Sequence, residues 1–240
     1  MEAREYQRLH EVEQRMWWFR GLRANLLALA RRDGASGNGA VLDAGCGTGG
    51  VLADLVACGI EDAFGLDVAE PACQMARARS GRPVVAGSLN TLPFRDGAFR
   101  LIVSADVLCH AKVDEGAALR EMRRCLAPGG RLLLNLPAYG WLMSDHDRRV
   151  QNARRYTRAE ALALVRQAGF DRARGYYWNS LLLPLMVVRR LLRRGGGAES
   201  DVRTFPAFLD RLFGGALALE RRLDFPFPFG GSILILAEQA

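Results

Sequence analysis

The residues richest in chemical potential lie in one decapeptide, VLDAGCGTGG, where Asp43 precedes Gly45, Cys46, Gly47 and Gly49, with Gly50 behind them. Glycines at this spacing let a turn of backbone come close to a bound molecule, because no Cβ stands in the way. A second carboxylate, Asp67, ends the run AFGLD, a position from which it accepts hydrogen bonds from ribose hydroxyls. Two histidines follow apolar runs: His110 in SADVLCH and His146 in SDHDRR. Imidazole titrates near neutrality, so both are candidate catalytic residues. A loop-holding role for His110 and a surface turn for His146 are the competing readings. No pair of His, Cys or carboxylate residues has metal-ligand spacing, and no metal is expected.

Gly45, Gly47 and Gly50 satisfy GxGxxG, which together with Asp67 reads as a dinucleotide fingerprint and raises an NAD-dependent oxidoreductase as one alternative. Asp43 argues against it. A carboxylate just ahead of the glycines repels a pyrophosphate in a poorly solvated pocket. A cationic ligand reverses that sign, and S-adenosylmethionine carries a sulfonium and an ammonium group with no phosphate. A third reading, of another class, is a non-catalytic cofactor-binding scaffold or membrane-associated protein.

The elements that must position these groups alternate from residue 39 onward. Short β-rich runs, Ala40 to Ala44, Ala63 to Asp67, Pro83 to Ala86, Phe99 to Ser104 and Arg131 to Leu136, are separated by longer helical ones, the pattern of an α/β fold with a mainly parallel sheet. Asp114 to Leu126 reads as a helix stopped by Pro128-Gly129-Gly130, and Thr157 opens another with Glu160 completing a capping box. The expected organisation is a helical extension or lid over residues 1–37, an S-adenosylmethionine-binding α/β domain over 38–178 and 230–240, and a helical insertion over 179–229 that serves as an acceptor lid. Ser232 to Ala237 is then the last strand.

Five motifs in order carry a family resemblance over roughly residues 38 to 137. They are Asp43-Ala44-Gly45-Cys46-Gly47-Thr48-Gly49, Gly65-Leu66-Asp67, Gly87-Ser88-Leu89 with Leu92-Pro93-Phe94, Ser104 to His110, and Leu126-Ala127-Pro128-Gly129-Gly130. In these the chain resembles the class I S-adenosylmethionine-dependent methyltransferases, whose Rossmann-like sheet is mostly parallel with an antiparallel last strand. The resemblance implies that Gly45, Cys46, Gly47 and Gly49 line the methionine and ribose portion, with Asp43 counted among the cofactor-binding residues. By the same resemblance Asp67 binds the ribose hydroxyls, Val68 flanks the adenine, Ser88 and Leu89 meet its edge, and Ala105 touches the methionine end. The chain departs from the family at Ser88, where many relatives have Asp, and at Cys109, where many have Glu. A looser likeness to a bacterial subgroup lies in Trp17-Trp18-Phe19-Arg20, His146-Asp147 and Arg154-Arg155-Tyr156-Thr157.

Acceptor-side candidates are Trp17 and Trp18 as a lid, Arg154 and Arg155 as a grip for an anionic group, and Tyr156, Tyr177 and Trp178 as pocket walls. A charged helix face and core packing explain the same residues. The charge is lopsided: residues 1–140 carry +1 and residues 141–240 carry +6 of the total +7, almost entirely as arginine. With LLLPLMVVRRLLRR and the Phe225, Phe227, Phe229 series, this points to a small-molecule or lipid-linked acceptor, neutral or anionic, or to peripheral membrane contact. Nucleic acid is disfavoured by the lack of an RNA-binding module. The five cysteines are an odd number without a CxxC, and no window reaches the roughly 20 apolar residues of a membrane span. Both point to a cytoplasmic protein, peripheral to the membrane if it meets one. Oxygen is the expected acceptor atom, with nitrogen and carbon as open alternatives, and the oligomeric state is left open.

Overall fold

The computed structural model describes residues 12–32, 39–192, 205–223 and 225–239, with the side chains of residues 145, 146 and 189–192 outside the description. The elements are α1 (Trp17–Arg32), β1 (Ala40–Ala44), α2 (Gly50–Ala57), β2 (Ala63–Asp67), α3 (Glu70–Ser80), β3 (Val84–Ala86), β4 (Phe99–Ala105), α4 (Glu115–Cys125), β5 (Leu126–Pro137), α5 (Asp145–Arg149), α6 (Arg158–Gln167), β6 (Arg172–Trp178), α7 (Leu183–Leu192), α8 (Ala207–Leu223) and β7 (Ser232–Glu238). The strands form one seven-stranded sheet in the order β3-β2-β1-β4-β5-β7-β6, with β7 antiparallel to both of its neighbours. This is the mostly parallel, Rossmann-like sheet with an antiparallel last strand that the resemblance implies.

Strand alternation divides the core. Leu42, Leu66, Ile102, Leu132, Leu134 and Ile233 point to the face covered by α4 and α6, where they meet Leu119, Met122, Ala161 and Val165. Val41, Leu101, Val103, Leu133 and Leu234 point to the other face, covered by α1, α2 and α8 through Leu22, Leu26, Leu55 and Leu217. Strands buried on both faces are near-continuous apolar runs, which is why RLLLNL and SILILA carry almost no charge. The N-terminal helix is therefore a layer of the domain: Leu26 is 2% exposed against the sheet, and a Cβ on Gly21 would lie 2.3 Å from the Leu217 side chain of α8.

Two elements differ from expectation. β5 starts at Leu126 and runs through Pro128-Gly129-Gly130, its register slipping between the Phe99–Leu126 and Leu101–Arg131 pairs, with Gly129 at φ 72° taking up the turn. β6 was not foreseen as a full strand, because its edge position leaves RARGYYW alternating between charged and apolar residues. Within the expected helical insertion over 179–229 the described helices are α7 and α8. The capping box is present, with Thr157 and Glu160 bonded reciprocally.

Candidate active site

The strand order reverses between β1 and β4, and in open α/β sheets the crevice beyond the strand ends at such a point receives the ligand. The glycine turn lies there. The backbone amides of Gly45 and Cys46 donate to the Leu66 carbonyl at 2.7 and 2.9 Å, and that of Gly47 donates to Asp67 Oδ2 at 2.9 Å. A Cβ on Gly45 would sit 2.4 Å from Val107 Cγ2, and one on Gly49 2.7 Å from the Ala76 backbone. Gly47, at φ 52°, has nothing within 4 Å of its Cβ position, so this side of the turn is open to a ligand. Asp67 also accepts from Ala69 N at 3.0 Å, which fixes its carboxylate at the end of β2. Beside it Val68 is 73% exposed, an apolar surface suited to a flat ring.

Asp43 ends up behind the turn, 1% exposed, with Oδ2 lacking any hydrogen-bond partner among the described residues. Burial pushes its carboxyl up to about 8, against a bond from the Leu52 backbone, and the nearby Glu13 and Asp67 push it further. An orphaned buried carboxylate oxygen is costly unless a donor or cation completes it. The cationic, phosphate-free S-adenosylmethionine fits this set of groups, because its charge favours the ionised carboxylate, whereas a dinucleotide's pyrophosphate would hold the acid protonated and gain no charge pairing from it. Cys46 is buried and its thiol is pushed far up by burial, so it packs and does not react. Ser88 is exposed and its hydroxyl accepts from Asn90 N, while Leu89 is 5% exposed in the core, leaving its backbone to face a ligand.

The end of β4 carries a group the sequence reading passed over. Asp106, at φ 55°, follows Ala105 and precedes the Val107 that packs on Gly45. Asn135 Nδ2 donates to both of its oxygens at 3.0 Å, and Trp178 Nε1 donates to Asn135 Oδ1 at 2.8 Å. The surrounding protein pushes the Asp106 carboxyl up to about 7, despite the pull of Asn135 and Arg155. The polar Asn135 inside RLLLNL was the available signal. Trp178 is buried and stacked on Trp18 with ring centroids 6.1 Å apart, so Trp18 roofs the chain Trp178–Asn135–Asp106. Trp17 faces inward, edge-on to Phe213. Tyr177 stacks on Tyr139, which stacks in turn on the exposed Trp141.

The remaining candidates have internal partners. His110 is held through its ring by the backbone of Val150 and Gln151, and burial lowers its pKa. The His146 side chain lies outside the described residues. Arg154 pairs with Glu115 and bonds the Val113 carbonyl. Arg155 makes a buried pair with Asp147 at 2.9 Å and bonds the Ala138 carbonyl. Burial alone would raise Asp147; Arg155, Ser144 and Asn152 together bring it below its ordinary value. Tyr156 is buried with its hydroxyl on Glu115 and the Leu108 carbonyl. The two arginines foreseen as an anion grip thus brace the loops after β4 and β5. Glu13, likewise unforeseen, accepts from Thr48 at 2.6 Å and from Arg79 at 2.8 Å, tying the N-terminal segment to the glycine turn.

Residues 42–134, from β1 into β5, match the methyltransferase domain family. The match covers the stretch that carries the glycine turn, Asp67 and Asp106. A mouse protein named probable tRNA methyltransferase 9B is 39% identical over 113 residues, 46% of this chain and 24% of its own length. The chain spans about a quarter to a half of the curated relatives that it matches. Among solved structures, a Thermotoga maritima SAM-dependent methyltransferase, possible histamine N-methyltransferase, aligns with TM-score 0.63 and 20% identity over 99% of this chain and 95% of that one. Geranyl diphosphate C-methyltransferase of Streptomyces coelicolor, solved with S-adenosyl-L-homocysteine, aligns with TM-score 0.57 and 17% identity over 85% and 72%. At these identities the two structures share the fold.

Proposed function

We propose that this chain is an enzyme that methylates a small or lipid-like acceptor at oxygen, with S-adenosylmethionine as the donor. The observation that carries the reading is the unpartnered, buried Asp43 oxygen behind a glycine turn open at Gly47. When bound, S-adenosylmethionine supplies an electrophilic methyl group on its sulfonium. Asp43 offers its charge to the ammonium end, Asp67 accepts from the ribose hydroxyls, and Val68 lies along the adenine. Asp106, fixed by Asn135 beside the turn, accepts the proton of the acceptor hydroxyl as the oxygen becomes a nucleophile. Trp18 and Trp178 keep water from that oxygen, which supports in-line transfer by positioning and desolvation.

The apolar, anionic acceptor in the name of the Streptomyces enzyme supports weighting the search in that direction, as do the aromatic rings at this end of the sheet. The test is transfer of radiolabelled methyl from S-adenosylmethionine to panels of hydroxylated lipids, prenyl phosphates, phenols and amines, with bulk tRNA as a further arm. Label on a hydroxylated lipid or phenol that disappears in Asp106→Asn supports the reading; label on tRNA or amines alone overturns it.

A further inference from the structure

Helix α8 is held by one side and presents the other to solvent. Leu217 packs against α1, Asp210 accepts from Trp17 N at 2.7 Å, and buried Glu220 accepts from the amides of Ser180 and Leu181 at 2.8 and 3.1 Å. Both acids of the helix are therefore committed to the protein. The opposite side carries Phe208, Leu212, Leu219 and Leu223, each more than half exposed. Their spacing of four, seven and four residues confines them to about 60° of arc at 3.6 residues per turn. Arg211 and Arg222 line one edge of this stripe, and Arg221 is exposed as well. Leu181, whose amide is held by Glu220, and Phe229, whose carbonyl accepts from Ser180 Oγ, are further apolar residues left about half exposed.

We propose that this face docks on an anionic lipid surface, α8 lying in the plane of the headgroups with its leucines inserted and its arginines at the phosphates. A helix whose exposed side is apolar and cationic with no exposed acid has the composition of an interfacial helix. Charge decides against a second copy of the chain: a two-fold contact through this stripe sets Arg211 and Arg222 of one copy against those of the other. Contact is shallow, since no helix among the described residues is long and apolar enough to cross a membrane. This inference does not depend on the methyl acceptor or on the cofactor.

The experiment is co-sedimentation of the full chain with vesicles of equal parts phosphatidylglycerol and phosphatidylcholine, and separately with pure phosphatidylcholine, at low and high salt. The expected result is sedimentation with the mixed vesicles that salt weakens, and little with phosphatidylcholine alone. Arg211→Gln and Arg222→Gln each weaken partition about fivefold, and Leu212→Asp with Leu219→Asp abolishes it, while melting temperature and S-adenosylhomocysteine affinity stay at wild-type values. Absence of wild-type binding to either vesicle overturns the proposal. So does a dimer in light scattering that Leu212→Asp with Leu219→Asp converts to monomer.

Discussion

Asn135 holds Asp106 by both carboxylate oxygens at 3.0 Å while its own carbonyl takes the indole proton of Trp178 at 2.8 Å. The amide thus fixes a carboxyl at the end of β4 from a strand end beside it and is itself fixed from β6. With Asp106 as the base, methyl transfer rises with pH through about 7 as the carboxylate forms, because the protonated acid cannot take the acceptor's proton. The charged neighbours Arg155 and Asp147 and the thiol of Cys109 face the same group and set where that rise falls. Asp106→Asn should lower the rate by about 10²–10⁴-fold with cofactor affinity unchanged. Asn135→Ala should shift the pH midpoint upward, since it removes the bonds that favour the ionised form.

Asp43 gives a proton signature. Its carboxyl titrates near 8 in the free protein, and a bound ammonium group favours the ionised form, so below that pH the complex holds fewer protons than the free protein. S-Adenosylmethionine affinity should therefore rise with pH up to about 8, with proton release measurable by calorimetry in buffers of different ionisation enthalpy. Asp43→Asn should remove the release and cost about 1.5–3 kcal/mol of binding. For folding the linkage has the opposite sign: between about 3.8, where the unfolded carboxyl ionises, and about 8, where the buried one does, the folded state holds a proton that the unfolded state has lost, so stability falls as the pH rises through that window, a loss that Asp43→Asn should abolish in melting curves.

Two glycines of the turn should respond differently to the same change. Gly45→Ala drives a methyl to within 2.4 Å of Val107 and should destabilise the fold as well as abolish binding. Gly47→Ala meets nothing within 4 Å, so its fold penalty is the left-handed backbone alone, about 1–2 kcal/mol. Chemical denaturation and titration together separate the two effects.

Arg155→Ala leaves Asp147 charged and buried without its guanidinium, which should cost about 3–5 kcal/mol of stability in denaturant melts. Arg154→Ala, whose partner pair is partly solvated, should cost far less.

The sheet was readable because parallel strands buried on both faces leave short apolar runs, and the glycine turn because close approach restricts residue type at Gly45 and Gly49. What escaped reading depends on distance along the chain. Asp106 just past the end of β4, Asn135 on β5 and Trp178 on β6 meet through the strand order, and the partners of Arg154 and Arg155 are likewise tertiary. A guanidinium reads the same in sequence whether it binds an anionic acceptor or, as here, Glu115 and Asp147. β6 was obscured by its edge position, where alternate charged residues face water.

The measurement closest to the central claim is calorimetric titration of the full chain with S-adenosylmethionine, S-adenosylhomocysteine and NAD in parallel, repeated with Asp67→Ala. Binding of both adenosyl ligands, none of NAD, and loss of affinity in Asp67→Ala is the predicted result. Binding of NAD without the adenosyl ligands would contradict the role given to Asp43 and with it the whole functional reading.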